Sequence, residues 1–94
     1  MVQLYDNDEP GYLAWVTANP AGFVATLDRA LSFPQYPMVH KATHGLISSA
    51  NIGGFTTGDY VKLCAADLPA LERYCQEKYG RPLTRCRACM PSAA

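Results

Sequence analysis

Residues 60–89 read YVKLCAADLPALERYCQEKYGRPLTRCRAC, and this stretch decides the fold. Tyr60-Val61-Lys62-Leu63-Cys64 alternates in polarity, the period of a strand with one buried face. Asp67 then offers a helix N-cap, and Pro69 falls in the first turn, where its missing N–H costs nothing. Leu68, Leu71, Cys75 and Tyr79 recur at i, i+3, i+7 and i+11, one face of a helix. Gly80 suits the C-cap and Pro82 blocks continuation. The stretch ends on Arg85-Cys86-Arg87-Ala88-Cys89, a C-x-x-C turn flanked by arginines.

Upstream the signals are shorter. Asp8-Glu9-Pro10 opens a helix of two to three turns carrying Tyr12, Leu13, Trp15 and Val16, and Asn19-Pro20 stops it. Trp15 is expected to anchor the core. Phe23 to Leu27 reads as a strand, and Met38-Val39-His40 as a short extended piece. Ser32 to Pro37 holds two prolines and is a connecting loop. Ser48 to Gly58, rich in Ser, Gly and Thr, reads as a loop or wide hairpin. The expected architecture is a small α+β domain with a short three-stranded sheet and two helices. It forms one domain over 1–94, with an N-terminal helix and strand in 1–37 and a metal-binding portion in 38–91.

At 94 residues and 10.3 kDa the chain is too short for a Rossmann fold or a TIM barrel. A domain of this size buries only roughly 60–65% of its unfolded surface, so a metal or a partner is a common supplement. Eight basic side chains balance eight acidic ones. The balance is local, however: residues 1–39 set Asp6, Asp8, Glu9 and Asp28 against Arg29, whereas residues 40–94 hold seven basic and four acidic groups. The first ten residues are polar and acidic, unlike a signal peptide. No apolar run approaches the ~20 residues of a membrane span. These features predict a soluble, cytoplasmic protein, where four cysteines serve as thiols or metal ligands rather than disulfides.

The chain's only two histidines, His40 and His44, are four apart, and 41 residues separate them from Cys86 and Cys89. H-x3-H followed by C-x2-C has the inventory of a Cys2His2 zinc site. Three alternatives stand beside it. Cys86 and Cys89 could be a redox pair, although that motif belongs at a helix start after a strand. Cys64 or Cys75 could supply a ligand, although buried free cysteine is common in cores. Or no metal binds.

From Val39 to Pro91 the chain resembles the metal-binding domain of the Ada DNA-repair protein family. That domain has a Cys or His, three residues and a Cys, then a strand, a helix and a closing R-x-C-x-x-C before a proline. The matching parts here are His40 to His44, Tyr60 to Cys64, Leu68 to Tyr79, and Arg85 to Pro91. The resemblance implies zinc as cofactor and DNA as partner. In Ada the first thiolate of the set accepts a methyl group from a DNA phosphotriester. His40 stands at that place, so methyl transfer is not implied. A site with two thiolates and Zn2+ has near-zero charge and is expected to be structural.

Other enzyme readings fail on inventory. Neither His40 nor His44 is followed by the Glu of H-x-E, and Arg85 replaces the Pro of P-C-x-x-C, so deaminase chemistry is disfavoured. There is no H-E-x-x-H, and Gly53 to Gly58 lacks the G-K-[ST] of a phosphate loop. The expectation is therefore a non-catalytic zinc-binding module of bacterial or phage type. Lys41, Arg81, Arg85 and Arg87 would gather beside the knuckle as a face for DNA or RNA. The rival is a protein-interaction module, an adaptor or inhibitor, using Phe33, Tyr36, Phe55 and Tyr60 or the acids Asp6, Asp8 and Glu9.

Overall fold

The computed structural model describes residues 2–44 and 53–89. Among the described residues seven elements follow in order: β1 (Gln3–Tyr5), α1 (Glu9–Ala18), β2 (Phe23–Asp28), β3 (Met38–Lys41), β4 (Tyr60–Ala65), α2 (Leu68–Tyr79) and β5 (Thr84–Arg85). The α+β class agrees with the sequence reading. The sheet has five strands rather than three, in the order β1-β4-β2-β3-β5. β2 lies between β4 and β3, so residues 1–37 and 38–91 share one sheet.

The alternation of the strands sorts the core into two layers. Val24 and Cys64 face α1 and cluster with Tyr12, Val16, Ala42 and Phe55. Ala25, Val39, Leu63 and Ala65 face the other way and cluster with Leu71 and Cys75 of α2. The two helices therefore cover opposite faces of the sheet. β2 and β4 are therefore buried on both faces, and the one-sided burial expected from the alternation of β4 is not found: even Lys62 is only 4% exposed. Burying Leu71 alone contributes roughly 1.5–3 kcal/mol.

Both helices begin and end where the sequence places their signals. The Asp8 side chain accepts a hydrogen bond from the Gly11 N–H, and Pro10 lies in the first turn. At α2 the Asp67 side chain makes no cap hydrogen bond, although Pro69 and the left-handed Gly80 (φ 66°) fall as expected. Gly22 is fixed by space instead: a Cβ there would meet Trp15 Cη2 at 2.6 Å. Trp15 itself packs half-buried against the α1 layer. Phe55, expected at the surface, is only 6% exposed and lies 5.5 Å from the Tyr12 ring, because the Gly-rich turn folds back onto α1. Residues 48–52 of the Ser48 to Gly58 loop, and Pro91 of the closing motif, lie outside the described residues. Among the described residues no helix is long and apolar enough to cross a membrane.

Candidate metal centre

His40 and Cys86 meet because of the sheet. β5 runs parallel to β3, with Met38 beside Thr84 and Val39 beside Arg85. The Thr84 N–H donates to the Pro37 carbonyl and the Cys86 N–H to the Val39 carbonyl, 2.9 and 3.0 Å. This ladder carries Cys86 to the level of His40. His44 returns to the same place through a turn in which its N–H donates to the Lys41 carbonyl at 3.0 Å. The H-x3-H spacing thus works through a strand and a turn, not through a helix face.

The four side chains His40, His44, Cys86 and Cys89 place their ligand atoms within 4.8 Å of one another. His40 Nδ1 and His44 Nδ1 are 3.3 Å apart. Cys86 Sγ lies 3.9 Å from His44 Nδ1, and Cys89 Sγ 3.9 Å from His40 Nδ1. A tetrahedral zinc with bonds of about 2.0–2.1 Å to nitrogen and about 2.3 Å to sulfur has edges of about 3.3 Å for N···N and about 3.6 Å for N···S. The nitrogen edge coincides with the observed one. The mixed edges are longer by a few tenths of an ångström, a change that side-chain rotation supplies. The donor set fits zinc.

The protonation states suit ligation as well. Burial pushes the His40 imidazole down to about 4, and the nearby charges of His44 and Lys62 act in the same direction. A neutral imidazole is the form that binds a metal. Burial pushes the Cys86 thiol up, but the backbone N–H groups of Cys89 and Ala88 and the Cys89 side chain outweigh it, and the net displacement is downward. For Cys89, burial and the neighbouring Cys86 raise the thiol, while the Lys41 N–H opposes, donating to Sγ at 3.3 Å. The two sulfurs behave as one pair that holds its first negative charge easily and its second less so. These N–H···S contacts are parts of the site that side-chain spacing does not reveal, since any residue can supply them.

Cys64 and Cys75 stand apart from this set. Both are fully buried, in opposite core layers. Burial pushes their thiols up to about 12 and about 11. They are packing residues.

The basic residues divide. Lys41, Arg85 and Arg87 are exposed around the site. Strand alternation separates Arg85, outward, from Cys86, inward. Arg81 is occupied differently. Its guanidinium donates to the carbonyls of Leu31 at 2.7 Å and of Phe33 and Tyr36 at 3.2 Å each, and so secures the loop before β3. No family model, curated protein or solved structure matches this chain.

Proposed function

We propose that the chain is a zinc-organised binding module without catalytic chemistry, and that Lys41, Arg85 and Arg87 bind nucleic-acid phosphate beside the metal. The single observation that carries this reading is the convergence of His40, His44, Cys86 and Cys89 within 4.8 Å, together with the exposed cations on the same two segments. The zinc would hold the β5 segment to β3. It would thereby fix Arg85 and Arg87 relative to Lys41, and three cations on a fixed backbone form a phosphate-binding set. Arg81 is spent on loop carbonyls and contributes to the face only by shaping it. The resemblance to the Ada zinc domain points in the same direction.

Two measurements test this. Protein purified without added metal should carry about one zinc per chain, lost in both Cys86→Ser and His44→Ala. Binding to a labelled DNA duplex, followed by anisotropy, should weaken steeply with salt, and Arg85→Ala with Arg87→Ala should lower the salt slope by about 2, one per phosphate contact. Absence of zinc would remove the first half of the reading. Salt-insensitive binding, or none, would remove the second.

A second reading, as a protein-interaction module, is favoured by Leu31 and Phe33, 40% and 48% exposed on the loop that Arg81 secures. In that case Phe33→Ala would abolish partner capture while the arginine substitutions would not.

A further inference from the structure

We propose that Cys86 and Cys89 are a modification site for hydroperoxides, closing a disulfide that expels the metal and frees the β5 edge. This rests on the zinc reading above.

The cysteines fall into two classes. Cys64 and Cys75 are fully buried, on opposite faces of the sheet. Cys86 and Cys89 are three positions apart in a turn, with their sulfurs no more than 4.8 Å from one another, and Cys89 is half-buried. A disulfide needs neighbouring Cβ atoms and an S–S bond of about 2.05 Å. The C-x-x-C turn brings its two sulfurs close enough to form one by side-chain rotation. Peroxide reacts with thiolates, and the zinc-bound pair is kept as thiolates by the metal.

The steps balance. The Cys89 thiolate attacks one oxygen of the hydroperoxide, giving Cys89–SOH and an alkoxide or hydroxide. The Cys86 thiolate then attacks the sulfenic sulfur, forming the S–S bond and expelling hydroxide. Two electrons pass from the sulfurs to the peroxide O–O bond, and water supplies two protons to the leaving oxyanions. The disulfide carries no negative charge, and the metal retains only His40 and His44, half of its ligand set.

The structural consequence follows from how little else holds β5. Thr84 and Arg85 are both exposed. Backbone hydrogen bonds from Thr84 and Cys86 join this segment to residues 37–39. Arg85 and Arg87 lie on it, so its release disperses the cations that the metal gathers.

The test uses the full chain. Zinc is first measured by elemental analysis, before any oxidant is added. Hydrogen peroxide in about tenfold excess is then added with a chromogenic zinc chelator present, and the products are mapped by peptide mass. The expected result is release of nearly all the bound zinc and loss of two of the four thiols. The peptide holding Cys86 and Cys89 should be lighter by two hydrogens, and dithiothreitol with zinc should reverse the change. Amide exchange at Cys86 should accelerate at the same time. Zinc that stays bound under peroxide overturns the proposal and leaves the metal reading standing. Oxidation at Cys64 or Cys75, or sulfinic acid without a disulfide, also overturns it. A chain that never holds zinc overturns both, and is recognised before the oxidant enters.

Discussion

The two edges of the sheet are held by different physics. β1, at one edge, is three residues long and pairs with β4 through Gln3 with Cys64, Leu4 with Leu63, and Tyr5 with Lys62. Its own Tyr5 and the adjoining Val2 pack on the two core layers. Beyond it, the Asn7 N–H donates to the Thr56 carbonyl, and Asp6 pairs with Arg29. β5, at the other edge, has two exposed residues and a short parallel ladder. Apolar anchorage there comes from Leu83 and Cys89. The first edge is secured by ordinary packing and many small polar contacts. The second has fewer such contacts and lies beside the cluster of His40, His44, Cys86 and Cys89. Under the proposed reading, metal coordination would stand in for a core where the chain runs out of apolar residues.

Three experiments break or sharpen this contrast. The largest effect should come from stripping the metal. At free zinc a thousandfold above Kd, binding stabilises the folded state by about 4 kcal/mol, and chelation removes that increment. Hydrogen exchange should show the loss at one edge: the Thr84 and Cys86 amides should lose protection while the paired amides of β1 keep theirs. Equal loss at both edges would mean that the metal supports the whole domain rather than one strand.

A smaller effect is expected at the centre of the sheet. Lys62 is 4% exposed, and its ammonium donates to Thr26 Oγ1 at 2.7 Å. Burial pushes it down to about 8, with the Cys64 and Glu9 charges opposing. Between pH 8 and 10.5 the unfolded chain still holds a proton that the folded chain has released. The contribution of Lys62 to stability therefore rises with pH across that window, by about 2–3 kcal/mol, and its penalty is fully present below pH 8. Denaturant unfolding of Lys62→Met beside the parent should show the variant's relative advantage at pH 7 shrinking by that amount at pH 10.5. A pH-independent difference would show that Lys62 is not held in its depressed state.

The smallest effect belongs to the β1 edge. Asp6 and Arg29 are partly exposed, and Arg29 also donates to the Gly58 and Thr56 carbonyls at 2.7 and 2.8 Å. Asp6→Asn should cost no more than about 1 kcal/mol in thermal unfolding and leave zinc content unchanged. A larger loss would make the β1 edge as dependent on one contact as the β5 edge.

What the sequence discloses follows the same division. α2 was legible because a cap, an apolar face and a left-handed glycine all coincide in Asp67 to Gly80. The convergence of His40, His44, Cys86 and Cys89 was legible because two histidines and one C-x-x-C leave few other combinations. β1 and β5 were not: strands of three and two residues are too short to show a period, and β5 exists only through a parallel neighbour some 45 residues earlier in the chain. Phe55 was misplaced because glycines flanking an aromatic suggest an exposed tip, whereas its burial depends on Tyr12, far off in sequence. Arg81 read as a surface cation because carbonyl partners leave no mark on composition.

The sign of the charge also differs between the two edges. Asp6, Asp8 and Glu9 follow directly on β1, while Lys41, Arg85 and Arg87 cluster at β5. Four strand spacings lie between, about 19 Å. With Asp6 paired to Arg29, these groups set about two unit charges of each sign apart across the sheet of a chain with no net charge, a contribution to the dipole moment on the order of 200 debye. Near a strongly charged surface such a molecule feels little net pull but a considerable torque. If it binds nucleic acid as proposed, it would turn its β5 edge towards that polyanion before contact, so added salt would first blur its orientation on approach and only then weaken its hold.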